Sequence, residues 1–347
     1  MKNISYVQTR AGNLKNYKIE ESDLQILSDH KVRVQIKAVG LNFADIFACL
    51  GLYSATPKGS FSPGLEYAGV IVEKGKKVNS PFKEGDEVLG TTKFGALTNY
   101  LDVNPNYLYP KPKDWTFEES ASFIVQALTA WYGLVELGRL KKDSMVLLQS
   151  AAGGVGLHSI QILNHFSANY CAIIGNSNKK EILKKYDVKE ENILIRDKNI
   201  NKFYKDLKVF LKNKHKRGFD LIFDSVSGKY LKVQFSLLDR MGIYIIYGAS
   251  DLMSNTNKPN YLWLVYKYLT FYRIMPLKLL DTNRGIFGFN IIWLYDKIDL
   301  FRKMIQEMQQ IQWKKPYIDK VFDFKDSYQA LKYLQSGTSI GKVIIRI

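Results

Sequence analysis

Residues 150–156 read SAAGGVG, with small residues at positions 151, 153 and 156 directly behind the strand-like run VLLQ at 146–149. A Gly-x-Gly-x-x-Gly loop between a strand and a helix does three physical jobs. Its first glycine permits a tight turn, its second lets the backbone approach a pyrophosphate, and its third lets the helix pack on the strand. Ala151 stands in the first place here, which weakens the motif taken alone. The setting strengthens it, because a helix opening near Val155 offers free N–H groups and a positive dipole end to phosphate. A plain strand–turn–helix is the competing reading. The next apolar run, YCAIIG, ends at Gly175, about 20 residues on, where an NAD site carries Asp or Glu for the ribose 2′-hydroxyl. This chain has Asn176, Ser177, Asn178, Lys179 and Lys180 there, a hydroxyl and two ammonium groups with no carboxylate. That set favours NADPH over NADH, unless the lysines only open a solvated helix face.

Other chemistries are poorly supplied. The four histidines, His30, His158, His165 and His215, show no metal-ligand spacing, and His158 and His165 read as two positions along one helix. Two cysteines, Cys49 and Cys171, are too few for a disulfide framework or a four-cysteine zinc lobe. The formal charge of +17 is spread along the chain without an RNA- or DNA-binding motif, so it reads as a solvated surface and no nucleic-acid partner is expected. The densest cluster, KNKHKRG at 212–218, falls where a helix end would accept cations.

The elements that must hold the loop follow from periodicity. Residues 1–120 alternate as short strands, among them KVRVQIKAVG, GVIVEKG and EVLGTTKF, with Pro63-Gly64, Gly85-Asp86 and Pro110/Pro112 as punctuation. From about 121 to 250 apolar strands alternate with helices, which argues for a parallel sheet covered on both faces. Helix-like stretches near 296–310 and 326–336 precede a last strand, KVIIRI. The run 261–280 is apolar and aromatic, but Lys267, Arg273, Pro276 and Lys278 interrupt it, so it does not read as a membrane span. It is expected to be a buried or subunit-contact helix, with a wall for an apolar substrate or a membrane-surface contact as the alternatives. No apolar secretory segment opens the sequence, and a cytoplasmic location is the default expectation.

Together with LNFAD, these motifs resemble the medium-chain dehydrogenase/reductase superfamily in its zinc-free quinone oxidoreductase branch, most like the synaptic vesicle membrane protein (vesicle amine transport) subgroup. The residues that carry the resemblance are GLNFADIFACLGLY (40–53), PGLEYAGVI (63–71), GDEVLG (85–90), LTAWYGL (128–134), SAAGGVGL (150–157), FDLIFDSVSG (219–228), NRGIFGFN (283–290) and GKVIIRI (341–347). The resemblance implies an α/β fold, with a GroES-like β-rich catalytic domain over 1–122 and 293–347. A Rossmann doubly wound parallel-sheet cofactor domain takes 123–292. It implies that Asn42, Leu65 and Gln126 stand where zinc-dependent relatives place ligands, a set unsuited to zinc. It puts Asn42 and Tyr53 in the substrate cleft. Asn42 would orient the acceptor or the nicotinamide ribose, and Tyr53 would donate to an enolate oxygen unless it is only a packing aromatic. Phe47 stands where some relatives have a tyrosine, so water is a candidate proton source. Cofactor contacts carried over are Gln126 and Thr129 on the nicotinamide side, and Gly153, Gly154 and Val155 at the pyrophosphate. Gly175, Ser177, Lys179 and Arg196 would lie near the 2′-phosphate, with Tyr247, Phe289 and Asn290 closing the nicotinamide. Asp45 and Glu66 read as structural hydrogen-bonding residues. The expected activity is zinc-independent, NADPH-dependent hydride transfer to a quinone or an α,β-unsaturated carbonyl, by a homodimer. The alternatives are a weakly active or inactive membrane-associated or adaptor protein, and a pathway-specific enoyl reductase.

Overall fold

The computed structural model describes residues 2–347, which form two compact units. The first comprises residues 2–125, 254–260 and 314–347, and the second comprises 126–253 and 261–313.

In the first unit, strands run in the order Ile318–Asp323, Lys342–Arg346, Val32–Gly40, Glu66–Lys74, Glu87–Thr91 and Leu108–Pro110, with Tyr100–Val103 also paired to Val32–Gly40. All neighbours are antiparallel except Ile318–Asp323 and Lys342–Arg346. Val32–Gly40 can bury Val32, Val34, Ile36, Ala38 and Val39 because register shifts let it serve Glu66–Lys74 and Tyr100–Val103 together. The helix Phe43–Cys49 follows at once, so residue 42 sits at the junction of a strand and a helix.

The second unit is a six-stranded parallel sheet ordered Ile193–Ile195, Asn169–Ile174, Met145–Leu148, Phe219–Asp224, Leu238–Ile246 and Gly285–Gly288. The order reverses beside Met145–Leu148, which is where a doubly wound sheet places its ligand crevice. Met145, Val146, Leu147 and Leu148 are fully buried, as a strand covered on both faces requires. The helix Gly154–His165 crosses from this strand to Asn169–Ile174. The helix Ile200–Asn213 ends at the basic cluster, whose Lys212 lies in its last turn.

Two expectations need revision. Residues 293–313 pack with the second unit, not with 314–347, because the amphipathic helix Ile298–Met308 ties Lys303 to Glu136 at 2.9 Å and the Trp313 ring lies 5.6 Å from that of His158. An apolar stripe at helical spacing shows that a helix is covered but not by which sheet. The run 261–280 is not a buried helix. It forms two short helices, Tyr261–Thr270 and Pro276–Thr282, and neither buries a residue. Pro276 opens the second, where the missing N–H costs nothing. No helix among the described residues is long and apolar enough to cross a membrane.

Candidate active site

The loop 150–156 turns on Ser150, whose φ of 53° is left-handed; Ala151 itself has no positive φ. Alanine is therefore tolerated where the motif has its first glycine, because the preceding residue makes the bend. The Ser150 turn is held by three bonds. Gly153 N–H donates to Ser150 C=O at 2.9 Å, Ala151 N–H donates to Ile173 C=O at 2.9 Å, and Ser225 Oγ donates to Ser150 Oγ at 2.9 Å. The helix starts at Gly154 with Gly153 as its N-cap and no side-chain cap, so its first-turn amides are left for a ligand. A Cβ at Gly156 would collide with the carbonyl oxygens of Ser150 and Ala151, which explains glycine at the helix–strand contact. A Cβ at Gly154 would collide with the side chain of Gln126, whereas one at Gly153 meets only Ser150 O at 3.3 Å. Gly153 is thus the least crowded of the three positions. Gln126 and Thr129 are buried neighbours on the helix Ile124–Trp131.

At the end of the adjacent strand, Gly175, Ser177 and Asn178 are exposed and Lys179 is half-buried in the turn Ser177–Lys179. Lys180 pairs with Glu190 at 2.6 Å. Arg196 is placed with more definition. Its backbone N–H joins Ile174 C=O at 2.8 Å, its Nη1 donates to Gln149 Oε1 at 3.0 Å, and its guanidinium lies 5.4 Å over the Tyr230 ring. Gln149 is fully buried and in turn donates to Gln234 at 2.8 Å. Arg196 Nη2 comes within 3.8 Å of the Cβ position of Gly175. A fork held at one end by a buried amide, with its other end beside a side-chain-free position, suits a phosphate.

The third cluster of this unit is aromatic. Tyr247 stacks on Phe223 at 4.1 Å and lies 6.3 Å from Phe289, which meets Tyr132 edge-on at 5.0 Å. Phe289 N–H bonds Ile246 C=O at 3.0 Å, and Asn290 caps the next turn, Ile291–Leu294. Gly133 is required beneath, since a Cβ there would strike the Phe223 ring. Tyr247, Phe289 and Asn290 are thus brought to one edge of the sheet.

The first unit carries a different constellation. Asn42 is the N-cap of Phe43–Cys49 and shares a capping box with Asp45, whose Oδ2 accepts the Asn42 N–H at 2.8 Å and whose Oδ1 accepts the Gly64 N–H at 2.7 Å. The Asn42 side chain also reaches sideways. Its Nδ2 donates to Glu66 Oε1 at 3.0 Å and to Gly40 C=O at 3.2 Å, and its Oδ1 accepts from Lys342 Nζ at 2.9 Å. Lys342 and Glu66 form a fully buried ion pair, and Glu66 Oε2 also accepts the Val125 N–H at 3.0 Å. Burial lowers the Lys342 pKa, and Glu66 offsets part of that. Burial likewise lifts the Asp45 carboxyl to about 6, against the pull of the two amides it accepts. Tyr53 is half-buried, and burial with the nearby Asp45 raises its pKa, so its hydroxyl stays protonated at neutral pH. Lys342 was missed in the sequence, where its signal is a lone cation opening the apolar run VII at 343–345.

The donor set does not suit zinc. Leu65 is a buried core residue, and the Asn42 amide is already engaged by a carboxylate and an ammonium, so a cation already stands beside Asn42 and Glu66. No group of three or more His, Cys, Asp or Glu that could hold a metal occurs among the described residues.

Comparison with known proteins accords with this architecture. Residues 28–113 match the alcohol dehydrogenase GroES-like domain, and residues 197–345 match a family described as zinc-binding dehydrogenase. The synaptic vesicle membrane protein VAT-1 homolog of Rattus norvegicus is 29% identical over 318 residues, 91% of this chain and 76% of the relative. A Pseudomonas syringae quinone oxidoreductase has the same fold at a TM-score of 0.82 and 19% identity, over 99% of this chain and all of the other. So does a mycobacterial protein solved with NADPH, at a TM-score of 0.82 and 18% identity over 99% of this chain and 100% of its own. The chain thus carries an alcohol dehydrogenase GroES-like domain over 28–113 and a zinc-binding dehydrogenase match over 197–345, and it is similar over most of its length to VAT-1 homologs.

Proposed function

We propose that this protein is an NADPH-dependent reductase that transfers hydride to a quinone or an α,β-unsaturated carbonyl without zinc. One observation carries the cofactor choice: the strand end at Gly175 lacks a carboxylate and has Arg196 anchored beside it by Gln149. The cradle at Gly153–Val155 receives the pyrophosphate on first-turn amides, and Gln126, Thr129, Tyr247, Phe289 and Asn290 contribute to holding the nicotinamide. Ser177 and Lys179 join Arg196 at the 2′-phosphate. Bound NADPH supplies the hydride and needs an acceptor that can spread negative charge without a Lewis acid. Conjugated enones and quinones meet that need. Tyr53, kept protonated, donates a hydrogen bond to the forming enolate oxygen, and its raised pKa leaves water as the better proton source.

The unpaired outer edge of Gly285–Gly288 and the exposed apolar residues of 261–282 support a homodimer joined at that edge. Fluorescence titration with NADPH and NADH, followed by NADPH oxidation with a panel of quinones and enones, tests the reading. Tighter NADPH binding with turnover of at least one acceptor is expected. Equal affinity for both cofactors overturns the 2′-phosphate assignment, and tight NADPH binding without turnover of any acceptor favours an adaptor role.

A further inference from the structure

Two fully buried glutamines behind Arg196 hold their amides in an order that leaves one nitrogen without an acceptor. Gln149 follows the strand Met145–Leu148, with its N–H on Phe223 C=O at 3.0 Å, and Gln234 lies on the helix Leu231–Ser236. Gln149 Oε1 accepts Arg196 Nη1 at 3.0 Å, and Gln149 Nε2 donates to Gln234 Oε1 at 2.8 Å. Gln234 Nε2 then meets no acceptor among the described residues. All three residues belong to the second unit. Turning both amides over would satisfy Gln234 Nε2 on Gln149 Oε1. It would also set Gln149 Nε2 against a guanidinium, which can only donate. A bond to a charged group outweighs one between neutral amides, so Arg196 dictates the order. An unpaired buried donor destabilises the fold, and a pair of apolar side chains would avoid it.

The guanidinium is held without being neutralised. Arg196 makes no ion pair with a carboxylate among the described residues. Asp224 senses its charge, but the oxygens of Asp224 are taken by the Val226 and Ser227 N–H groups and by the Tyr244 hydroxyl at 2.6 Å. We infer that Gln149 and Gln234 are positioning residues that decide the cofactor preference, because they fix one corner of Arg196 and leave its charge and its Nη2 edge for a phosphate monoester beside Gly175. The inference rests on the NADPH reading and adds the two residues through which Arg196 discriminates. A carboxylate in place of Gln149 would hold the same corner but cancel the charge. A hydrocarbon would keep the charge but free the corner. A neutral acceptor that is itself held in place does both, and Gln234 is what holds it.

The test is the ratio of the Kd for NADH to that for NADPH, from fluorescence titration, with a thermal melt for each protein. The proteins are wild type, Gln149→Glu, Gln149→Leu and Gln234→Leu. In Gln149→Glu one carboxylate oxygen still accepts Nη1, and Gln234 can turn its unused Nε2 to the other. This variant is expected to keep its Tm while its preference for NADPH falls at least about tenfold, as a cancelled charge requires. Gln234→Leu moves the unpaired nitrogen from Gln234 to Gln149 and lets Gln149 turn. Its preference is expected to fall about threefold to tenfold, the worth of one neutral hydrogen bond, and that of Gln149→Leu at least as far. The Kd for NADH, which has no 2′-phosphate, stays within about twofold throughout. A merely structural pair would lower Tm and weaken both cofactors alike, leaving the ratio untouched. A wild-type preference that survives either Gln149→Glu or Gln234→Leu overturns the inference alone. A wild type without preference for NADPH overturns the 2′-phosphate reading, and the inference with it.

Discussion

Replacing Arg196 by methionine tests the cofactor assignment at the point where the structure is most explicit. The guanidinium is fixed through Nη1 on buried Gln149 and through its stacking over Tyr230, while Nη2 is directed to the bare Gly175. A charge-assisted hydrogen bond to phosphate contributes about 1.5–3 kcal/mol net. At about 1.4 kcal/mol per decade, its removal raises the Kd for NADPH about 10- to 150-fold. NADH has no 2′-phosphate, so its Kd is expected to stay within about twofold. The substitution also strips Gln149 Oε1 of its donor in a fully buried place, at a cost of about 1–3 kcal/mol of stability. Thermal melts must therefore accompany the titrations, and binding is measured well below the variant's Tm. Salt gives an independent check, because the NADPH affinity of wild type should fall more steeply with ionic strength than that of the variant. Equal weakening of NADPH and NADH would refute the reasoning, since Arg196 would then act only through Gln149 on the loop. An unchanged NADPH Kd would refute it outright.

Two glycines of the loop separate fold from ligand. Gly156→Ala forces a Cβ onto two backbone oxygens and should lower stability by about 1–3 kcal/mol in a denaturant titration. Gly153→Ala, with an ordinary φ of −81° and one neighbour at 3.3 Å, should keep its Tm while losing NADPH affinity at least tenfold, and retained affinity would show that the cradle is not used. Asp45, lifted from 3.8 to about 6, holds its proton more tightly folded than unfolded. Its contribution is therefore complete below about pH 4 and is lost as pH rises through 6, about 3 kcal/mol in all. Asp45→Asn should flatten that part of the stability–pH curve, and an unchanged slope would exclude Asp45 as its source. For assembly, sedimentation should give twice the 39.9 kDa chain mass, and Phe287→Glu on the edge strand should return it to one. A wild-type monomer would remove the edge-strand interface.

The parallel sheet was legible because its strands bury both faces. Unbroken apolar runs such as 145–148 and 171–174 leave few alternatives once helical stretches separate them. The loop was legible for a steric reason, although the sequence alone could not show that Ser150 takes the left-handed turn and so makes Ala151 harmless. Ownership of 293–313 was not legible, because an amphipathic helix does not name the surface it covers. For 261–280 only burial within the chain is excluded; subunit contact, the other half of the expectation, stays open because hydrophobicity argues for burial in something and does not say in what. The Asn42 cluster was half visible. Asn42 and Glu66 came with the resemblance, but Lys342 lies 300 positions from Asn42 and joins it only through strand pairing.

That separation has a consequence for how the protein comes into being. Strand Val32–Gly40 is made before the second unit, but the neighbour that completes its edge, Lys342–Arg346, follows only after it. Until then Glu66 would be a carboxylate in a closing core with no counter-ion, and the Asn42 amide would be free to turn. The first unit therefore completes its sheet only after every residue of the second, 126–253 and 261–313, has been made. A chain interrupted after residue 313 carries all six strands of the parallel sheet but lacks the cation of the Asn42 centre.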